Sequence, residues 1–209
     1  MSHLTVVEKV TKPPLDMWIE TVSGARIEFL NPNPKLIKID DIAWSLSRQS
    51  RFAGHTGDAF PLSVAVHSIW MSMYMFKRTD CYSMGLYGLL QSASKAFMGE
   101  IPSGLRQIPS VRLELDLIEQ RLQAAIYAAL DLLPPNTATL ELIAEAEEQA
   151  QVQEARYHMR SGAVRWQHLP DPTVAAACVG FSLAQSPEHA CEQYLLAYRI
   201  FSAKLKNLH

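Results

Sequence analysis

The chain has 209 residues, 48% of them hydrophobic and 19% charged, with a formal net charge of -2. These values predict one globular domain with a substantial core and exclude a disordered chain. The near-neutral charge gives no protein-wide basic field, so binding to nucleic acid is not expected.

The cysteines and the N-terminal stretch bear on the compartment. Cys81, Cys178 and Cys191 show no C-x-x-C spacing, which predicts free thiols in a reducing compartment. The opening stretch MSHLTVVEKVTKPP has no apolar run long enough for a signal peptide, and no segment approaches the roughly 20 apolar residues of a membrane helix. We therefore expect a cytoplasmic protein without membrane contact.

The first 30 residues contain the strand signal of the chain. Residues 1–16 contain two consecutive prolines near their end and are predicted to form a loosely held arm, whereas residues 17–209 are predicted to form one helical domain. Residues 17–30 alternate apolar and polar side chains on either side of Ser23 and Gly24, a pattern typical of a short β-hairpin.

The remaining segments show apolar residues at helical spacing, bounded by capping residues and prolines. The helices are predicted over residues 40–50, 63–76, 83–98, 111–132, 137–159, 174–183 and 186–205. In the fourth of these, apolar residues are expected to share one buried face: Leu113, Leu117, Ile118, Leu122, Ala125, Ile126 and Leu130. The fold class predicted is all-α with a small N-terminal hairpin.

A family resemblance rests on the order of several motifs. RFAGHT is followed by SVAVHS, then by LLQSASKAFMGEIPSGLR, and later by AEAEEQAQVQEARYHM. This order resembles the HD-domain metal-dependent phosphohydrolases, in the branch of 5′-deoxynucleotidases and viral deoxynucleoside triphosphohydrolases. The resemblance covers roughly residues 17–205 and implies an HD-like helical bundle, in a viral or mobile-element protein.

The resemblance implies a metal site that this chain has largely lost. The first family ligand corresponds to His67, the adjacent His-Asp pair to Gln91 and Ser92, and the fourth ligand to Glu147. An amide and a hydroxyl are weak donors for a divalent ion that activates water. His67 and Glu147 are therefore vestigial ligands, and a metal such as Mn, Co, Zn or Mg is expected only if the site is atypical; otherwise no cofactor is expected.

Lys95 stands where the family has its catalytic glutamate, on the predicted helix that carries Gln91. A lysine cannot act as that carboxylate. We expect its ammonium to fill the space of the metal and to pair with Glu147 or Glu100. The alternative is a lysine that extends into solvent from a helix end.

The resemblance also implies a substrate pocket. Arg51 corresponds to a phosphate-binding arginine, Phe52 to an aromatic residue that stacks on the base, and Glu100 to a residue near the sugar hydroxyl. Pro102 and Arg106 match the family's residues in the loop that follows. From the residues alone, a surface salt bridge for Arg51 and a core position for Phe52 are the ordinary interpretations.

Two other features have ordinary explanations. His55 is expected to hydrogen-bond within its loop. The acidic residues of the AEAEEQAQVQEA stretch are expected to form mostly a solvated face, with only Glu147 in a functional position: Glu145, Glu147, Glu148 and Glu154.

Two functions from different classes follow. In the first, the chain is a catalytically inactive, HD-like binding or regulatory protein that acts through a protein partner or a retained (deoxy)nucleotide pocket, with a homodimer expected. In the second, it is an active metal-dependent nucleotide phosphohydrolase with an atypical metal site. Loss of several cooperating residues favours the first, because losing one member of such a set usually costs orders of magnitude in rate.

Overall fold

A two-stranded hairpin precedes the helices in the computed structural model, which describes residues 17–161, 173 and 185–206. Strands β1 (Trp18–Glu20) and β2 (Arg26–Glu28) are antiparallel. Gly24 lies in the turn with a φ of 79°, where a glycine is favoured. The predicted hairpin is confirmed.

The rest of the described chain is helical, apart from connecting turns. The helices are α1 (Ile39–Leu46), α2 (Val64–Thr79), α3 (Tyr82–Leu90), α4 (Lys95–Met98), α5 (Ser103–Arg106), α6 (Pro109–Ala129), α7 (Thr137–His158) and α8 (Pro187–Lys206). The all-α class with a small N-terminal hairpin is therefore confirmed. The predicted arm at 1–16 and the short helix at 174–183 lie outside the described residues.

A buried carboxylate joins the hairpin to α1. Asp41 accepts hydrogen bonds from the Thr21 hydroxyl at 2.8 Å, from the Ser23 hydroxyl at 2.8 Å and from the Ser23 backbone N–H at 3.1 Å. These bonds satisfy a carboxylate that would otherwise be costly to bury. The hairpin is thereby held at the start of the first helix.

Helix α2 lies at the centre of the fold. Its N-cap is Ser63, whose hydroxyl accepts a hydrogen bond from the Val66 N–H, as the sequence indicates. The helix contacts α1, α3, α7 and α8. Most of its side chains are buried, and His67 is among them. A polar ring is thus placed in the interior, where it requires partners.

The helix predicted over residues 83–98 is interrupted, which corrects the sequence interpretation. Between α3 and α4 the backbone forms 3₁₀-type hydrogen bonds between residues three apart, such as Ala93 N–H to Leu90 C=O at 3.0 Å. Gln123 of α6 satisfies the groups left over, because it accepts from the Ser94 N–H at 3.2 Å and donates to the Leu90 carbonyl at 2.8 Å. Gln91 and Lys95 therefore do not share one continuous helix face.

The single buried face predicted for α6 is also only partly correct. Leu122 and Ile126 are fully buried in the core. Leu117 and Leu113, about one and a half and two and a half turns before Leu122, are 44% and 63% exposed. The N-terminal half of α6 therefore presents leucines to solvent, although its C-terminal half belongs to the core.

Candidate functional site

A cavity of about 540 Å³ opens between the turn at 51–54, the segment at 100–106 that includes α5, and α7. All the residues predicted for the substrate pocket line it, together with two positions predicted for the lost metal centre. They are Arg51, Phe52, Glu100, Pro102 and Arg106, with Lys95 and Glu147. The structure thus brings these sequence-predicted positions together in one place.

Behind the cavity, His67 lies between two carboxylates of α7. Its Nδ1 atom is 2.7 Å from Oε1 of Glu154, and its Nε2 atom is 3.0 Å from Oε2 of Glu147. His67 and Glu154 are fully buried, whereas the Glu147 side chain is 38% exposed. Both ring nitrogens of His67 are therefore already bonded.

Arg51 binds the same carboxylates from the other side. Its Nε and Nη2 atoms donate to Oε2 of Glu154 at 3.1 and 2.8 Å, and its Nη1 atom donates to Oε1 of Glu100 at 2.5 Å. A weaker contact of 3.5 Å joins Nη2 to Glu147. The arginine is buried and paired with carboxylates, so the alternative of a surface salt bridge is wrong.

A sharp turn presents this arginine. The Arg51 N–H donates to the Leu62 carbonyl at 2.8 Å, and Phe52, Ala53 and Gly54 follow with φ values of 53°, 52° and 81°. Left-handed backbone is unfavourable for the two residues with side chains. The bonds that anchor Arg51 on both sides hold the turn in this conformation.

Lys95 faces the interior of the site. Its Nζ atom lies 2.9 Å from Oε2 of Glu100, and its side chain is 12% exposed. The predicted pairing with Glu100 is confirmed, and the alternative of a solvent-extended lysine is wrong. The carboxylate of Glu100 is thus shared between Lys95 and Arg51.

Gln91 and Ser92 complete the interior. The Gln91 amide donates to the Ser92 hydroxyl at 2.7 Å and to Oε2 of Glu147 at 3.2 Å. Ser92 is fully buried. This neutral pair therefore fits the space beside His67 as a hydrogen-bonding unit and adds no charge.

Together these residues form what we call the ion-pair cluster. It contains Arg51, His67, Lys95, Glu100, Glu147 and Glu154. When His67 is protonated, three cations face three carboxylates and the charges balance. Such balance matters because an unpaired buried charge costs several kcal/mol.

The pKa shifts within the cluster agree with this balance. Burial and the nearby Arg51 lower the pKa of His67, but Glu147 and Glu154 more than offset both, so that pKa is raised. Burial raises the pKa of Glu154, and Arg51 and His67 reverse the effect and leave it lowered. Desolvation raises the pKa of Glu147, but His67 and Arg51 more than offset this effect and hold that pKa well below the usual range.

The cluster does not fit a divalent metal ion. The two vestigial ligands, His67 and Glu147, are bonded to each other, and Arg51 and Lys95 would repel a dication at this place. Within the described ranges, no group of three His, Cys, Asp or Glu side chains is arranged to hold a metal. The charged side chains of the cluster neutralise one another, and their nitrogen and oxygen atoms are not free to coordinate a metal ion.

Glu154 is the residue that the sequence analysis missed. The acidic pattern predicts a solvated face for this residue, yet Glu154 is fully buried and bonds to both His67 and Arg51. A usable signal was its spacing: Glu147 and Glu154 are seven residues apart, and Ala150 lies between them on the same buried side of α7. Glu148, in contrast, is exposed as expected.

Other predicted residues have more modest roles. Arg106 lines the cavity and pairs with Glu119 at 2.7 Å and with Asp116 at 3.3 Å. His55 also lines the cavity, and its backbone N–H donates to the Phe52 carbonyl within the loop at 3.0 Å. Phe52 is half-buried with part of its ring at the cavity.

The fold and site define an all-α protein with a buried ion-pair cluster beside an open cavity. Comparison with known proteins adds little to this class. No family model matches the chain. The chain is 32% identical over 120 residues to an uncharacterized protein of Rhodobacter capsulatus, and the match covers 55% of this chain and 59% of that relative. Among the described helices, none is both long and apolar enough to cross a membrane.

Proposed function

We propose that the chain is a catalytically inactive relative of the HD-domain phosphohydrolases that acts by binding a ligand in the cavity. One observation carries the proposal. The ion-pair cluster lies at the positions that the resemblance assigns to the metal and the catalytic glutamate, while the adjacent cavity of about 540 Å³ stays open.

The alternative is an active phosphohydrolase with an atypical metal site. Water activation by a metal requires imidazole and carboxylate donors with free lone pairs and an open coordination position. Here His67 and Glu147 would first have to separate, which would leave the buried imidazole without its carboxylate contact at Nε2. The cost of breaking a buried ionic network opposes this rearrangement.

The ligand that suits the cavity is a nucleoside or nucleotide held mainly by its planar part. Phe52, Ile101 and Pro102 provide an apolar wall with an aromatic ring. The cationic side chains at the cavity, Arg51 and Lys95 among them, already face carboxylates. A phosphate would therefore have to compete with these internal pairs, so the base and sugar contribute most of the affinity.

A protein partner is a second candidate for the binding function. Its support is the exposure of Leu113 and Leu117 on α6. Large exposed apolar side chains grouped on one surface are typical of interaction sites. This candidate does not compete with the cavity, because the two surfaces are separate.

A ligand screen tests the proposal directly. Purified protein is assayed for bound metal, for phosphate release from deoxynucleoside mono-, di- and triphosphates, and for thermal stabilisation by these compounds and by the free nucleosides. We expect stabilisation without phosphate release. Metal-dependent phosphate release would establish the alternative, and absence of any stabilisation would refute the cavity as a nucleoside or nucleotide site.

A matched pair of variants locates the binding. Phe52→Ala removes the ring at the cavity and should abolish the stabilisation by ligand. Phe60→Ala removes an exposed ring outside the cavity lining and should leave it unchanged. Equal responses of the two variants would show that the ligand binds elsewhere.

A further inference from the structure

A second cavity, of about 510 Å³, shares no lining residue with the cavity at Arg51. It lies between Leu86 and Tyr87 of α3, residues 129–133 at the end of α6, and Tyr198 of α8. A cavity of this volume is large enough to enclose a small organic molecule. The ion-pair cluster contributes nothing to this second cavity, so its chemistry has to be considered separately.

Most of the wall of the second cavity is apolar or aromatic. Leu86 is buried, and Leu130 and Leu132 are half-buried, so leucines from two elements meet here. The side chains of Tyr87 and Tyr198 also line the wall, and the Tyr87 hydroxyl donates to the Leu133 carbonyl at 2.9 Å. These walls favour a ligand with an apolar body, because its transfer from water removes apolar surface on both sides.

Asp131 is the charged member of this wall, and it stands alone as such among the described residues that line the cavity. Within the part of the chain that the structure describes, its carboxylate has no hydrogen bond and no ion pair. Burial and the nearby Asp131 carboxylate raise the pKa of the Tyr198 hydroxyl. The second cavity thus combines an unpaired anion with apolar and aromatic walls.

The position of Asp131 is unfavourable for the stability of the fold. It follows α6 with a φ of 55°, in the left-handed region where glycine or asparagine is preferred after a helix. Its carboxylate also lies at the negative end of the helix dipole, and the sequence of the last turn of α6 contains no basic residue. Asp80 follows α2 with a φ of 50°, but Lys77 and Arg78 precede it there. Stability alone therefore does not account for an aspartate at position 131.

We propose that the second cavity binds a small organic amine, with its ammonium group on the Asp131 carboxylate and its apolar body against the leucines and tyrosines. The ammonium would supply the counter-charge that the end of α6 lacks, and tyrosine rings attract cations as well. An anionic ligand would meet both a carboxylate and the negative end of a helix. A neutral apolar ligand would take water from the carboxylate and give no bond in return. The proposal does not depend on the proposed function of the first cavity.

Calorimetric titration of the full chain with 2-phenylethylamine at neutral pH, where this amine is protonated, tests the proposal. Two analogues divide the ligand into its parts: 2-phenylethanol keeps the apolar body without the charge, and ethylamine keeps the ammonium without the ring. We expect 2-phenylethylamine to bind and each analogue to bind roughly tenfold more weakly or worse, since a hydrogen bond to a charged group and the burial of a ring each contribute at least that factor.

Asp131→Asn separates binding from stability. Asparagine keeps the shape of the side chain and suits the left-handed backbone, so the free energy of unfolding should stay the same or rise, whereas the affinity for 2-phenylethylamine should fall roughly tenfold or more. Asp80→Asn is the matched control, because it makes the same change in the same backbone conformation outside the cavity lining. It should leave the affinity unchanged, as should Phe52→Ala in the first cavity.

Three results would each overturn the proposal. They are the absence of binding of 2-phenylethylamine to the wild type, equal affinities for 2-phenylethylamine and 2-phenylethanol, and equal affinities of the wild type and Asp131→Asn for the amine. Loss of binding in Asp80→Asn would likewise overturn it, because that aspartate does not line the second cavity. Thermal unfolding of each variant checks that the fold is retained.

Discussion

The Nδ1 atom of His67 lies 2.7 Å from Oε1 of Glu154, with both side chains fully buried. This contact joins α2 to α7 across the interior. Arg51 holds the same carboxylate from a turn outside either helix. Ionic hydrogen bonds among these three residues therefore connect distant segments in the interior, where apolar side chains usually make such contacts.

Glu154→Gln should destabilise the protein strongly. The amide keeps the shape of the side chain but leaves Arg51 and His67 with one carboxylate fewer in a buried site. Removing one partner of a buried ionic network costs about 3–5 kcal/mol. Urea unfolding measures the loss.

The matched control for Glu154 is Glu148 on the same helix. Glu148→Gln changes an exposed carboxylate and should alter the free energy of unfolding by less than about 0.5 kcal/mol. Similar losses in the two variants would contradict the buried position of Glu154.

The stability should depend on pH through His67 and the carboxylates of the cluster. The pKa of His67 is raised above its ordinary value of 6.5, so its contribution is complete below about pH 6.5 and is lost as the pH rises through the folded-state value. The pKa values of Glu147 and Glu154 are lowered, so their contributions are present above about pH 4.5 and are lost as the pH falls.

Urea unfolding at a series of pH values checks this dependence. The free energy of unfolding should be greatest between about pH 4.5 and 6.5 and should decline on both sides. In His67→Gln the decline on the alkaline side should flatten, since the buried imidazole of His67 is no longer there to lose its proton. An unchanged alkaline decline would assign the effect to another group.

Metal ions should affect a designed variant more than the wild type. EDTA or added Mn²⁺ is expected to leave the unfolding midpoint of the wild type unchanged, because His67 and Glu147 are bonded to each other. Combining Gln91→His, Ser92→Asp and Lys95→Glu supplies new donors and removes a cation. Free Mn²⁺ at a hundredfold excess over its dissociation constant should then stabilise this variant by about 2.7 kcal/mol.

Two partial variants separate the requirements of this metal site. Lys95→Glu alone lacks the imidazole and carboxylate donors, and the pair Gln91→His with Ser92→Asp still holds the lysine. Neither should respond to Mn²⁺ as the full combination does. Stabilisation of the wild type by Mn²⁺ would contradict the assignment of the cluster as a substitute for metal.

Gly88→Ala should destabilise the contact between α2 and α3. A Cβ atom at this position would lie 2.7 Å from the Met71 backbone oxygen, which cannot move as a flexible side chain would. Overpacking of this kind costs about 1–3 kcal/mol. Gly104→Ala is the control, since its Cβ would meet nothing within 4 Å. Thermal unfolding of both variants should show a loss for Gly88 alone.

Local signals predicted the elements whose ends are determined by nearby residues. Ser63 caps α2 and Asn136 caps α7, because each side chain accepts a bond from a backbone N–H three residues ahead. The interruption after Leu90 was not predictable in this way. The partner of its free backbone groups is Gln123, which is 33 residues away from Leu90 in the chain.

The candidate site was predictable in its position but only partly in its chemistry. The motif order brought Arg51, Lys95 and Glu147 to one cavity. The burial of Glu154 depends on Arg51 and His67, and charge content alone does not reveal such partners. Likewise, the apolar spacing of α6 predicts a stripe but cannot distinguish the core side at Leu122 from the exposed Leu113.

The separation of Arg51 from Glu154 by 103 residues has a consequence for the order of folding. Before α7 reaches α2, the arginine and the histidine can remain hydrated at little cost. Docking of α7 removes water from all these groups at once and supplies their counter-charges in the same step. Because contacts of long sequence separation are costly to form early, we expect this closure to be late and cooperative. A chain ending before α7 would retain a hydrated Arg51 and an open interior.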